Sequence, residues 1–522
     1  MRTSISIAVG VMAVAGMAAN AVADDLTFGV RVETSSIDPH FFNSPPNLQI
    51  ASHIFDKLVK RDHNEQLQPN LAVSWKPVEK NTWEIKLAKD VKWHDGSPFT
   101  ADDVLFTVER SPNVPGSSST PGRYFLQKEF VKVDDHTLHI KTEGPYPTMA
   151  NDLSVPHIIS LKHGKGATTE QYNNGKATIG TGPYKFVKWV SGDEVVLTAN
   201  PNYWGKKPKW DNVVYKKIVS GPSRVAALLS GAVDLIDFVP PEDVRSLEKN
   251  KKVVIHSGSS NRIIQLVPDV SRDATPMVWD NDGKPIWPNP LMDYRVRKAI
   301  SKAINRNAIV DRVLEGQGIP AGQTVAPGMH GYTDDLKPEP FDPEGAKKLL
   351  AQAGFPDGFR VKLHGPNDRY VNDAKIVAAL AQMLTRVGIK SEVETMPKSV
   401  YFTRCRKGLY SLMLLGYGSD TGDASAGLNG LIHSLQPARG LGRINRGLYA
   451  NRRVDDLTDA ALFELDQDKR LNLIQDAYRI AMKHVASIPI HWQVNIWASR
   501  PGLVYESRKD ENTLAMSTSK AK

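Results

Sequence analysis

The stretch PNLAVSWKPVEKNTWEIKLAKDVKWHDGSPFTADDVLFTVER, residues 69–110, carries the reading on which the fold turns. Within it Trp83, Ile85 and Leu87 alternate with polar residues, the rhythm of a strand with one buried face. Asp95-Gly96 breaks that rhythm with a turn, and Thr100-Ala101-Asp102-Asp103 opens an apolar helix with Thr100 as its N-cap. Upstream, apolar residues crowd Leu26 to Val32, and Ser35-Ser36-Ile37-Asp38-Pro39 follows: a buried strand ending in a loop able to face a cleft. Downstream, Gly180-Thr181-Gly182-Pro183-Tyr184 precedes two extended runs, Tyr184 to Val190 and Glu194 to Ala199, which read as a hairpin turning at Ser191-Gly192-Asp193.

The second half alternates helices with strands. Val296, Ala299, Ile300, Ala303 and Ile304 recur at helical spacing, and Asp342-Pro343-Glu344 starts a helix that Gly354 ends. Ile376, Leu380, Met383, Leu384 and Val387 share a helical face, Gly388 stops it, and Ile389 to Thr395 resumes as a strand. A last long helix carries Leu471, Ile474, Tyr478, Ala481 and Val485, before the strand Ile488 to Trp492. The class is mixed α/β.

At the N-terminus, Arg2 precedes an apolar stretch from Ile5 to Ala19 that is too short for a membrane span, and Ala21 and Ala23 form an A-x-A cleavage pattern. Residues 1–23 therefore read as a signal peptide, with a mature chain from near Asp24. Cys405 is the single cysteine, which leaves neither a lipid anchor at that junction nor an internal disulfide. A Gram-negative periplasm is the expected compartment. About 500 mature residues exceed what one hydrophobic core supports, so several lobes and a cleft between them are expected. The net charge of +9 is spread over 66 basic and 57 acidic side chains without a long run of one sign, which disfavours a nucleic-acid surface.

Catalytic signatures are missing: there is no G-x-S-x-G elbow, no H-E-x-x-H, no Walker loop and no paired C-x-x-C. Gly416-Tyr417-Gly418 and Gly440-Leu441-Gly442 lack the third glycine of a dinucleotide loop. Val131 to Ile140 reads as a strand that puts His136 and His139 on opposite faces, and His94 sits beside a turn with no second ligand near in sequence. No enzyme activity, cofactor or metal is expected; a secreted hydrolase is a remote alternative.

Pro69 to Trp75, Thr82-Trp83, Val91 to Gly96 and Ala101 to Val104 together resemble the signature of family 5 extracellular solute-binding proteins, the oligopeptide-, dipeptide-, nickel- and opine-type receptors of ABC importers. The resemblance continues through Gly180 to Tyr184, Asn200-Pro201-Asn202-Tyr203-Trp204 and Arg295 to Ala299. It implies the large periplasmic binding protein fold (type II, cluster C-like), with two main lobes, an extra inserted domain and a two-strand hinge. Lobe I would take residues 24–60, 181–262 and 486–522 with the C-terminal tail, lobe II 61–180 and lobe III 263–485. It further implies a monomer that binds a small-molecule or oligopeptide ligand and delivers it to an inner-membrane ABC permease complex.

By the same resemblance Asp420, in Tyr417-Gly418-Ser419-Asp420, stands where peptide-binding members meet the ligand's ammonium. Its alternative is an Asx-turn. Arg369 stands near the arginine that meets the ligand's carboxylate; its alternative is a surface pair with Asp368 or Asp373. Thr34 and Ser35 match the lobe I contacts, and Tyr417 either stacks on ligand or packs in the core. The chain departs from the family in having Tyr417 where Trp is frequent and Asp423-Ala424 where an Asp-Pro pair is frequent. A peptide or peptide-like zwitterion is thus the leading ligand class, with an opine, sugar-phosphate or other anionic conjugate as runner-up and a metal or haem complex as a third reading.

Overall fold

The first strand, Asp25–Val30, buries Leu26 and Phe28 completely and pairs in parallel with Asn212–Lys217 on one side and Leu235–Ile236 on the other. A strand flanked on both edges and covered on both faces needs a nearly continuous apolar run, which is what this segment supplies. The computed structural model, which describes residues 24–521, extends this sheet to twelve strands running through two lobes. The hairpin Tyr184–Val190 and Glu194–Ala199 closes one end. Toward the other end Phe359–Pro366 lies parallel to both Ile389–Met396 and Leu412–Tyr417. These two halves are lobes I and III.

Two long antiparallel strands, Val254–Pro268 and Ile488–Ser499, cross from one half to the other. Their ladder breaks between Ser259 and Ile263, where the three residues Ser260, Asn261 and Arg262 oppose Gln493 alone. A bulge of this kind gives up regular pairing and bends the strand, which suits a hinge. The C-terminal segment stitches it: Glu511 accepts from Ser260 Oγ at 2.8 Å, from Gln493 Nε2 at 3.2 Å and from Arg262 through two bonds of 2.9 Å.

Lobe II is a separate four-stranded antiparallel sheet in the order Ala72–Glu79, Thr82–Leu87, Thr137–Lys141, Glu129–Asp134. Trp83, Ile85 and Leu87 point into its core with Trp93, Phe99, Val104 and Leu138. Ile159, Tyr172 and Ala177 pack into the lobe I core, whereas Ile179 packs on lobe II, so residues 159–180 join the two lobes rather than belonging wholly to the insertion.

The signature motifs turn out to be the joints of this arrangement. Asp103 accepts from Thr100 N at 3.0 Å, closing the helix start, and also from Trp93 Nε1 at 3.3 Å and Leu161 N at 2.8 Å. Gly180 and Gly182 lie against the end of the helix Pro45–Ile54: a Cβ on Gly180 would stand 1.7 Å from the Ile54 oxygen. Next to them the buried Asp56 accepts from Thr181 Oγ1 at 3.0 Å, Tyr203 Oη at 3.2 Å, Trp204 Nε1 at 3.0 Å and Asn70 Nδ2 at 3.2 Å. Arg297 donates to the carbonyls of Leu291, Met292, His484 and Val485.

The helices read from spacing are present as Tyr294–Ala303, Pro343–Gln352, Asp373–Thr385 and Gln467–Lys483. Two segments differ from the expectation. Val131 to Ile140 is two strands with His136 in the turn between them, because Asp134-Asp135 accommodates a tight reversal better than an extended run. The strand expected at Ile488 to Trp492 continues to Ser499, since its polar residues Gln493 and Asn495 are buried and paired with the C-terminal segment. The signal peptide expected at residues 1–23 lies outside the described residues. No helix among the described residues is long and apolar enough to cross a membrane.

Candidate functional site: the interlobe cleft

The strand Leu412–Tyr417 delivers the loop Gly418 to Asp423 to the face where lobe III meets the other two. Gly418 lies on the Arg262 guanidinium, leaving 3.5 Å between its missing Cβ and the guanidinium carbon, and Asn261 Nδ2 holds the Ser419 carbonyl at 3.0 Å. The hinge bulge therefore sets the position of the loop.

Asp420 is exposed and reaches across the cleft. Its carboxylate accepts from Arg123 Nη2 at 2.8 Å, Tyr124 Oη at 3.1 Å and Asn43 Nδ2 at 3.1 Å, and its carbonyl accepts from Arg61 Nη2 at 2.6 Å. This is no Asx-turn. Three donors from lobes I and II converge on one acid of lobe III, and Asn151 adds a bond to the Thr421 carbonyl at 3.0 Å. Such a half-exposed ion pair contributes about 0–1 kcal/mol, so a ligand cation can replace Arg123 at little cost.

Arg369 is arranged differently. Its backbone N–H donates to Asp373 at 2.9 Å, but its guanidinium has no carboxylate within 4 Å among the described residues and lies 5.3 Å from the ring centre of Tyr370. Burial, then the neighbouring charge of Arg262, holds its pKa below the usual arginine value. A cation that has lost water without gaining an acid is held at a cost in free energy. Arg262, by contrast, is saturated by Glu511, whose pKa its charge holds down against the opposing effect of burial.

Tyr417 is partly buried against the lobe III core beside Gly427 and Tyr478, with burial raising its phenol pKa well above normal. Thr34 is buried, with its hydroxyl donating to its own turn at the Ser36 carbonyl, 2.6 Å away. Ser35 is exposed at the same loop, bonded to Asn47. The structure thus rests the Asp420 loop on Arg262 and leaves Tyr417 and Thr34 turned largely to their own lobes. Sequence reasoning missed Asn43, Arg123, Tyr124, Arg262 and Glu511: they sit in unrelated segments, and no local pattern marks them.

His94 is part of the joint with lobe I, bonded to the Gly182 carbonyl at 3.0 Å and to Gly180 N at 3.2 Å. Among the described residues no group of three His, Cys, Asp or Glu side chains is placed to hold a metal.

Residues 66–437 match the family model of bacterial extracellular solute-binding proteins, family 5. The chain belongs to this family. As a family 5 solute-binding protein it is similar to the dipeptide-binding protein of Escherichia coli, 26% identical over 490 residues that cover 88% of each chain. It is 28% identical to the glutathione-binding protein GsiB of Pectobacterium atrosepticum, over 92% of this chain and 88% of that one. The solved structure of DppA from Helicobacter pylori in complex with the peptide STSA superposes with a TM-score of 0.76 at 24% identity, covering 95% of this chain and 98% of that one. The expected fold, lobes around a cleft with strand crossings between them, is the fold of this solute-binding protein.

Proposed function

We propose that the chain is the periplasmic receptor of an ABC importer, exported by a leader removed near residue 23. It works as a monomer that encloses a small peptide or peptide-like zwitterion between its lobes. Arg369 takes the ligand's carboxylate and Asp420 its ammonium, with Ser35 and the backbone of Thr34 on the lobe I side and Tyr417 bordering the loop. The observation that carries this reading is the unmatched, half-buried guanidinium of Arg369, on a loop that follows a strand lying parallel to the one that delivers Asp420. The names of the dipeptide- and glutathione-binding relatives agree with it. Closure of the lobes on the ligand would present a continuous surface to the permease.

One observation favours a second ligand class, an opine, sugar-phosphate or other anionic conjugate: Asp420 already holds Arg123, so an ammonium is not required to satisfy it. Native mass spectrometry of protein from a periplasmic extract separates the two, a peptide mass supporting the first and a phosphate- or sugar-bearing mass the second. Titration calorimetry of the recovered ligand then tests the residues. Asp420→Ala is expected to weaken a zwitterionic ligand by well over tenfold, about 2–5 kcal/mol for the loss of a charge partner that lobe closure on the ligand would bury. An unchanged affinity removes Asp420 from the site.

A further inference from the structure

Next to the Arg369 wall, a crevice of about 240 Å³ opens between lobes I and III along the free edge of the hinge strand. Arg31, Phe238 and Pro240 line it from lobe I, Tyr370 and Asn372 from lobe III, and Gln493 from the hinge strand itself. Whole small-molecule sites run to about 300–1,000 Å³, so this space suits one group of a ligand rather than all of it. It adjoins the proposed site directly, because Tyr370 both lines the crevice and lies under the Arg369 guanidinium.

Charged groups line the crevice. Arg31 stands 5.6 Å from the Phe238 ring centre and donates at 3.3 Å to the carbonyl of Asp368, the residue before Arg369. Its backbone N–H donates to the Asp237 carboxylate at 2.8 Å, while its guanidinium has no carboxylate within 4 Å among the described residues. Arg224 also borders the space, but its guanidinium is spent on the carbonyls of Ile218, Val219, Asp237 and Phe238. Glu242 is turned to Lys375 at 3.7 Å. Arg31 thus stands beside the segment that carries Arg369, bonded to the residue before it, and neither guanidinium has a carboxylate within 4 Å among the described residues. The walls are held in unusual backbone: Phe238 has φ 45° and Asn372 φ 52°, one in each lobe. For a bulky residue such as phenylalanine this conformation costs energy and persists where the surroundings impose it, a pattern concentrated at ligand sites.

We propose that this crevice is a second acid-binding subsite, in which Arg31 receives a side-chain carboxylate of a ligand whose terminal carboxylate is held by Arg369. The preferred solute is therefore an acidic peptide or peptide-like molecule with two carboxylates at its Arg369 end. Phe238 and Tyr370 flank the methylene stem of the side chain, and the anion takes the acid-free side of the Arg31 guanidinium. This inference rests on the receptor reading given above.

The test is titration calorimetry of the mature chain with Ala-Glu and Ala-Gln, which match in size and differ in one charge. Ala-Glu is expected to bind at least about tenfold more tightly. Arg31→Gln keeps a donor for the Asp368 carbonyl and is expected to reduce the difference to less than about threefold, with Ala-Gln binding nearly unchanged. Equal affinity of the native chain for the two dipeptides overturns the subsite and leaves the receptor reading standing. A difference that persists in Arg31→Gln removes Arg31 from it. Binding of neither dipeptide, by a chain that unfolds cooperatively, overturns the peptide reading along with the subsite.

Discussion

Asp56 and Arg369 are both charged groups withdrawn from water, yet the chain treats them in opposite ways. Around Asp56, four side chains from three segments donate to one carboxylate, and the adjoining glycines let backbone approach backbone. Around Arg369, the nearest charged groups include two further arginines, and the acid that could serve them is already engaged by Arg262. The first region spends its chemistry on itself and fixes lobes I and II as one body. The second leaves a valence for something from outside.

Asp56→Ala should give the largest change, leaving Thr181, Tyr203 and Trp204 without their shared acceptor and costing about 3–5 kcal/mol of folding stability in a denaturant titration. A cost below about 1 kcal/mol would erase the contrast. Arg369→Ala should do the reverse: ligand affinity falls by about 2–5 kcal/mol in calorimetry, while the denaturation midpoint stays level or rises because a repelled cation has gone. Unfolding of Arg369→Ala would mean that the arginine is part of the scaffold.

Acid should sharpen the same contrast on a smaller scale. Burial lowers His40 and His94, at the lobe I and II joints, and His53, within lobe I, from 6.5 to about 4. Below pH 6.5 the unfolded chain takes up protons that the folded chain refuses until about pH 4, so stability falls as pH falls through that window. The expected loss is about 1 kcal/mol per histidine one unit below the usual imidazole value, read as a lower melting temperature. A melting temperature flat from pH 7 to 5 would contradict it. Thr34→Val should be the mildest, about 1 kcal/mol for a hydroxyl bonded within its own turn, with ligand affinity unchanged. A large affinity loss would bring that side chain into the site.

The joints were legible in sequence because they are local or motif-borne. Thr100 and Asp103 lie within one helical turn, the glycines of Gly180 to Tyr184 stand together, and Asp342 announces its helix by preceding a proline. The strand rhythm of Trp83 to Leu87 survived because one face is buried and the other is not. The two segments read incorrectly obey other rules: the turn at His136 replaces two residues of strand, and Gln493 and Asn495 are polar residues made strand-like by partners elsewhere. The cleft was legible in part. Asp420 and Arg369 were found through resemblance, whereas Arg31, Arg123 and Arg262 come from positions far apart in sequence. A lone arginine in a chain with 66 basic residues carries no mark of its neighbours.

The bulge at Ser260, Asn261 and Arg262 joins two tasks. The residues at which the crossing strands lose their regular ladder are the ones that hold the Ser419 carbonyl and engage Glu511 behind the cleft wall. Flexing of the connection and the arrangement of charge in the cleft are therefore one degree of freedom. A transporter that levers the lobes apart would simultaneously pull the loop carrying Asp420 off its support, so that mechanical work applied at the outer surface would be converted into lowered affinity at the centre.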